Sequence, residues 1–248
     1  MSTPGQMPER RNPWWIPRWI FGTAPAVERR KLTLLGGVSI AVFYENYDLS
    51  LLNTSLKHIA ESLFVEEADL GYFVACIRFA GLFAILIIPA ADLIGRRRLF
   101  LISVVGMSVG TAMTGFSQTA MQFIILQMAA RGFMLTAVAM AVVILVEEFP
   151  AAHRGWAIGM LGTASVLGHA VGTLLFAGIE AMPYGWRTLY ILGIIPIVRL
   201  PMFQRCVYEP DRFRSIDRCG ANGLTMRESL SSWLRPYVQL ARRFPNRL

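Results

Sequence analysis

Glu45 and Asp48 stand three residues apart in the stretch FYENYDLSLLN, residues 43 to 53, inside a run of chain that is otherwise largely apolar. On a helix, positions i and i+3 share a face, so the two carboxylates point the same way. An ionised side chain within a membrane is costly unless it is paired or hydrated, which makes each one a functional candidate. There are few others: Arg78 in the second apolar run, Arg131 in the fourth and His169 in the fifth. A carboxylate that takes up and releases a proton in such surroundings is what proton-linked transport requires. The competing reading is a set of static ion pairs that hold the helices together, and for His169 plain packing or hydrogen bonding is the ordinary role of a lone histidine.

A rise of about 1.5 Å per residue across about 30 Å of hydrocarbon places these groups in depth. Counted outward from Thr33, Asp48 falls ~8 Å and Glu45 ~12 Å below the outer face. Arg78, Arg131 and His169 fall roughly 13, 16 and 10 Å below the same face. The expectation is one layer in which two anions and two cations form a neutral, water-accessible cluster. Protonating one carboxylate then leaves a surplus positive charge that an anionic solute can match.

The elements that must position these residues follow from composition. The 248 residues are 54% hydrophobic and only 16% charged, with a mean hydropathy of +0.47. A soluble domain is rarely so apolar. Six long, nearly uncharged runs recur, at approximately 33–55, 69–91, 99–116, 120–148, 156–181 and 186–203. Each approaches the roughly 20 residues that a helix needs to span a bilayer, so the chain reads as all-α, a polytopic bundle of six transmembrane helices.

Twenty of the 24 Lys and Arg residues fall before the first run, in the loops after the second and fourth, or from the end of the sixth onward; only Lys57 and Arg187 lie on the other side. That asymmetry places both termini in the cytoplasm and the chain in the cell membrane. It also accounts for the net charge of +8 without nucleic acid as a partner. Residues 1–31 read as a cytoplasmic segment with Trp14, Trp15 and Trp19 as interfacial anchors, 32–203 as the bundle and 204–248 as a basic tail. In the tail, Thr225 and Glu228 open a capping box ahead of a short amphipathic helix along the membrane surface. Cys76, Cys206 and Cys219 imply no disulfide framework, and no nucleotide loop, metal cluster or nucleophile triad supports a cofactor or an enzymatic activity. Small residues four apart, in GMSVG, GWAIG and GHAVG, predict close helix packing.

The loop PAADLIGRRRLFLIS resembles the signature of the major facilitator superfamily, Gly-x-Leu-x-Asp-Arg-x-Gly-Arg-Arg, with Asp92, Gly95, Arg96 and Arg97 in the matching places and Ile88, Ala90 and Leu93 departing from it. The stretch from Arg131 to Gly155 is similar to the fourth span and following loop of sugar-porter and related proton symporters, with Glu147, Pro150 and Arg154 matching. YGWRTLYILGIIP resembles the start of the family's sixth span, and VYEPDRF echoes its Pro-Glu-Thr-x-Arg-Phe element through Glu209 and Arg212. The resemblance covers roughly 32 to 215 and implies one half of a major facilitator fold, with its 3+3 inverted repeat.

The resemblance further implies that Asp48 is coupled to Arg131, as the first-span Asp is to the early Arg of the fourth span in proton-linked sugar porters. ENYD similarly looks like a variant of the Asp-Gly-x-Asp element of the aromatic-acid symporters. Asp92, Gly95, Arg96, Arg97, Glu147, Arg154, Glu209 and Arg212 would form a cytoplasmic gate, topogenic charge being the plainer alternative. The function implied is proton-coupled symport of a small organic solute, carboxylate or sugar-like. Its partners would be the lipid bilayer, protons, and a second six-helix half or a second copy, because a lone half walls only one side of a pathway; a truncated gene product is one reading of that. Proton-driven export of drugs or metabolites, and a non-transporting membrane interaction protein, remain open.

Overall fold

In the computed structural model, which describes residues 27–198 and Pro201, the chain folds into helices joined by short turns. No proline interrupts the first apolar run, and it forms one helix, α1 (Arg29–Ser62), of 34 residues. At ~1.5 Å per residue this is ~50 Å long, well beyond the hydrocarbon thickness.

The second run is broken into α2 (Leu70–Arg78), α3 (Ala80–Ile87) and α4 (Ala91–Ile94). The last break is a 3₁₀ turn over Ile88–Ala90, where Pro89 has no N–H to continue the ladder. Gly95, at φ 99°, then turns the chain into α5 (Arg96–Thr114); a side chain is disfavoured in that conformation.

Thr119 accepts from the Gln122 N–H and so caps α6 (Ala120–Glu148). Phe149 is extended, as the residue before a proline must be, and Pro150 leads into α7 (Ala151–Ala177). After Gly185, at φ 55°, come α8 (Trp186–Ile191), a 3₁₀ turn and α9 (Ile195–Val198). The described residues are all-α, with no strand among them.

Three segments, Glu67–Ala90, Ala120–Glu148 and Ala151–Ala177, are long and apolar enough to cross a membrane; Trp186–Val198 is a shorter apolar helix. The first and third runs read from the sequence do not reach that standard. α1 carries Glu45, Asn46, Asp48 and Asn53 near its middle, and α5 opens on three arginines. Both helices direct polar side chains into the bundle: Asp48, Ser50, Ser55, Ser103, Ser108 and Thr111 are all buried.

α1 packs along α7 and α6, and α5 along α6. GHAVG makes the first contact, because a Cβ at Gly172 would stand 2.8 Å from Ser50 Cβ and 3.0 Å from the Tyr47 carbonyl oxygen. GMSVG makes the last, because a Cβ at Gly110 would stand 2.8 Å from Ala130 Cβ. GWAIG does neither: Gly155 and Gly159 have nothing within 4 Å. Two hydrophobic clusters result. One gathers Leu34, Val38, Phe100, Val104, Met134 and Ile144, and the other Tyr47, Leu51, Phe73, Phe123, Trp186 and Tyr190.

Candidate functional site

Asp48 lies between Val42 of the first cluster and Leu51 of the second, and only 1% of it is exposed. Both its oxygens are engaged: Gln127 Nε2 donates to Oδ2 at 2.6 Å and Thr111 Oγ1 to Oδ1 at 3.2 Å. Gln127 sits on α6 one turn before Arg131, so the helix presents amide and guanidinium on one face. Beyond it, Thr114 Oγ1 is 3.2 Å from Gln127 Oε1 and 2.8 Å from the Gly110 carbonyl oxygen.

Glu45 is half-buried, and its Oε2 accepts from Asn46 Nδ2, which also donates to the Val42 carbonyl at 3.0 Å. Arg131, half-buried, interacts electrostatically with both carboxylates. No ion pair within 4 Å joins it to either among the described residues, and its Nε is buried without a hydrogen-bond partner. Tyr47 donates to the Leu189 carbonyl at 2.9 Å and so ties α1 to α8. Beside this network opens a half-open cleft of about 200 Å³, space at its mouth included, with Tyr44, Tyr47, Ser108, Thr111, Met134 and Pro196 in its lining.

Glu45, Asp48 and Arg131 are thus brought together, while Arg78 and His169 stand apart. Both are exposed, and neither has a side-chain partner among the described residues. Helical geometry explains this. Phe73 and Ile77 are the buried face of α2, and Arg78 follows Ile77 about 100° round the helix. On α7, Gly168 and Gly172 face α1 and His169 is turned off that face by the same angle. Gln127 and Thr111 are functional candidates that the sequence reading passed over. Gln127 is visible in retrospect as the lone polar side chain of FIILQMAA, four residues from Arg131. Thr111 has no such signal, because hydroxyls satisfy themselves inside many helices.

The family model described as Major Facilitator Superfamily matches residues 38–215. The chain belongs to the Major Facilitator Superfamily. It is 30% identical over 175 residues to the cis,cis-muconate transport protein of Acinetobacter baylyi, a match that covers 69% of this chain and 41% of that protein. It is 25% identical over 172 residues to the benzoate transport protein of the same organism, covering 65% and 36%. It is 35% identical over 102 residues to the multidrug resistance protein MdtG of a Rahnella species, covering 41% and 24%. The chain therefore spans between 24 and 41% of the length of these relatives.

Among solved structures it is similar to the proton:xylose symporter XylE, with a TM-score of 0.65 at 16% identity, covering 75% of this chain and 46% of that one. That likeness shows the major facilitator fold, which places the chain in a membrane as a multi-pass protein.

Among the residues that the sequence reading assigns to a gate, those described fall at two neighbouring helix junctions. Arg96 Nη2 and Glu147 Oε1 are 3.2 Å apart, joining the first turn of α5 to the last turn of α6. Arg154 Nε donates to the Phe149 carbonyl at 3.0 Å and braces the turn into α7. Arg97 is half-buried beside Arg96, and Asp92 belongs to α4, one turn before Gly95. Glu209 and Arg212, the leader tryptophans and the amphipathic helix of the tail lie outside the described residues.

Proposed function

We propose that the chain is the amino-terminal six-span half of a proton-coupled secondary transporter for a small organic solute, in which Asp48 carries the proton and Arg131 biases its charge. The observation that carries this reading is that Asp48, fully enclosed by α1, α5 and α6, is held by a neutral amide and a neutral hydroxyl rather than by an ion pair. A structural carboxylate at such a depth is better served by a direct guanidinium partner, because an uncompensated ion is expensive there. Arg131 is near enough to stabilise the ionised form without fixing it.

Arg78 takes the second role. An exposed guanidinium on an apolar span, with no side-chain partner among the described residues, is tolerable where it faces water or a solute. A carboxylate solute would occupy it, and the muconate and benzoate transport proteins among the relatives favour that class over a sugar-like one. The complete transporter then consists of this bundle rocking against a second one, with the solute between them near the midplane and both termini of the bundle cytoplasmic.

The test is uptake of labelled aromatic and aliphatic carboxylates into vesicles that carry the complete transporter, with and without an imposed pH gradient. Asp48→Asn is expected to abolish gradient-driven accumulation while sparing solute exchange, and Arg78→Gln to raise the KM for carboxylates. Accumulation by Asp48→Asn equal to that of the unmodified protein would refute the assignment. The MdtG relatives favour a second reading, export by proton antiport. Outward transport against an inward proton gradient would select it.

A further inference from the structure

An ion-pair partner such as Arg or Lys can only donate hydrogen bonds, so it satisfies a carboxylate in one protonation state and opposes the other. Both partners of Asp48 are of another kind. A hydroxyl donates or accepts by rotating, and a side-chain amide exchanges donor for acceptor by flipping, its two ends being of like size. Distances around Asp48 suit both states, the only heavy-atom change being the exchange of the Gln127 amide nitrogen and oxygen.

When Asp48 is ionised, Gln127 Nε2 donates to Oδ2 across 2.6 Å, Thr111 donates to Oδ1, and Thr114 donates to Gln127 Oε1. When Asp48 carries a proton on Oδ2, the same 2.6 Å suits an O–H donating to Gln127 Oε1. The flipped amide then donates across 3.2 Å to Thr114 Oγ1, whose own proton goes to the Gly110 carbonyl at 2.8 Å. Thr111 stays a donor to Oδ1, and each of these oxygen and nitrogen atoms, from Asp48 to Thr114, has a partner in both states.

We infer that Gln127 and Thr114 form a reversible hydrogen-bond relay that lets Asp48 bind and release a proton without repacking the bundle. Gln127 is thus a positioning residue for the proton, and Thr114 its switch. The inference rests on the reading of Asp48 as the proton carrier. The other titratable or charged groups that face Asp48 are Glu45 and Tyr47 on α1, Arg131 on α6 and Tyr190 on α8; α5 contributes only hydroxyls. The Thr114 hydroxyl bonds to the Gly110 carbonyl and to Gln127 and to none of these groups, so its hydrogen bonding reaches Asp48 through Gln127.

Infrared difference spectra of the full chain in lipid vesicles, taken along a pH titration, test this. The carboxylic C=O band of Asp48 is identified by its loss in Asp48→Asn. Thr114→Val is expected to shift that band and to displace its pH midpoint by about half a unit or more, with Thr114→Ser restoring both. Gln127→Met is expected to displace the midpoint further, by about one unit. Thr114→Val leaves the carboxyl's own contacts in place, so it decides the matter even where Gln127→Met fails to fold. An Asp48 band that titrates unchanged in Thr114→Val overturns the relay and leaves the proton-carrier reading standing. Absence of any band lost in Asp48→Asn overturns the proton-carrier reading itself, and the relay with it.

Discussion

Alanine at Gly172 and alanine at Gly159 should move stability in opposite directions, although both glycines belong to small-residue motifs of one helix. At Gly172 the added Cβ meets Ser50 Cβ at 2.8 Å and the Tyr47 carbonyl oxygen at 3.0 Å. Carbon atoms ordinarily rest about 3.5–4.0 Å apart, so α7 must back away from α1 by roughly 1 Å. That movement stretches the Ser50 Oγ to Thr173 Oγ1 contact, now 2.9 Å, past hydrogen-bonding range. Overpacking costs about 1–3 kcal/mol. The lost interhelical bond adds about 0.6 kcal/mol. The better helix propensity of alanine returns up to about 1 kcal/mol. Gly172→Ala therefore loses about 0.6–3.6 kcal/mol. At Gly159 nothing lies within 4 Å, only the propensity gain remains, and the variant gains up to about 1 kcal/mol. Reversible unfolding of the full chain by dodecyl sulfate in mixed micelles, followed by helicity, measures both. A Gly172→Ala protein as stable as the unmodified chain, or two shifts of the same sign, would refute the reasoning.

Tyr47→Phe removes the donor to the buried Leu189 carbonyl and is expected to cost about 1–3 kcal/mol in the same unfolding assay, with helicity unchanged. Glu147→Gln and Arg96→Gln should each cost about 1 kcal/mol, their charges being partly screened, and a double-mutant cycle should return a coupling that fades in high salt. His169→Ala, which removes no side-chain hydrogen bond, ion pair or ring contact among the described residues, should stay within about 0.5 kcal/mol of the unmodified protein.

Helices were legible in the sequence wherever burial and composition agreed. The fourth run, 120–148, coincides with α6 because an apolar run between a threonine cap and a proline has one simple outcome. The first apolar run, 33–55, marks only part of α1, because the helix continues through Lys57, His58 and Glu61 to Ser62, where composition turns polar. The motif GWAIG shows the limit of pattern alone: spacing identifies a smooth helix face but not what lies against it.

At the site, Glu45, Asp48 and Arg131 were picked out by the rarity of charge in apolar runs, which is a property of composition. Gln127, Thr111 and Thr114 were not, since a neutral polar side chain carries no comparable penalty and its partner comes from another helix. Equal depth in the membrane also proved weaker than rotation about the helix axis. Arg78 and His169 lie apart from Asp48 because of the face they occupy.

Under the proposed proton-coupled mechanism, that separation decides which solute charge would accompany the proton. With Glu45 and Asp48 ionised, the buried cluster holds two negative charges against the one positive charge of Arg131, and Arg78 supplies the balancing cation from an exposed position. On the proposed reading, protonating Asp48 neutralises the buried cluster and leaves Arg78 with no counter-charge among the described residues, so an anion bound at Arg78 would compensate the proton. On that reading a monocarboxylate and one proton would move together through the complete transporter with no net charge. Accumulation of a monocarboxylate under a fixed pH gradient should therefore be insensitive to a potassium diffusion potential set with valinomycin, whereas a dicarboxylate moved with a single proton should be retarded by an inside-negative one. Monocarboxylate uptake that rises steeply with inside-negative potential would mean that more than one proton accompanies it, and would return Glu45 to the count of titrating groups.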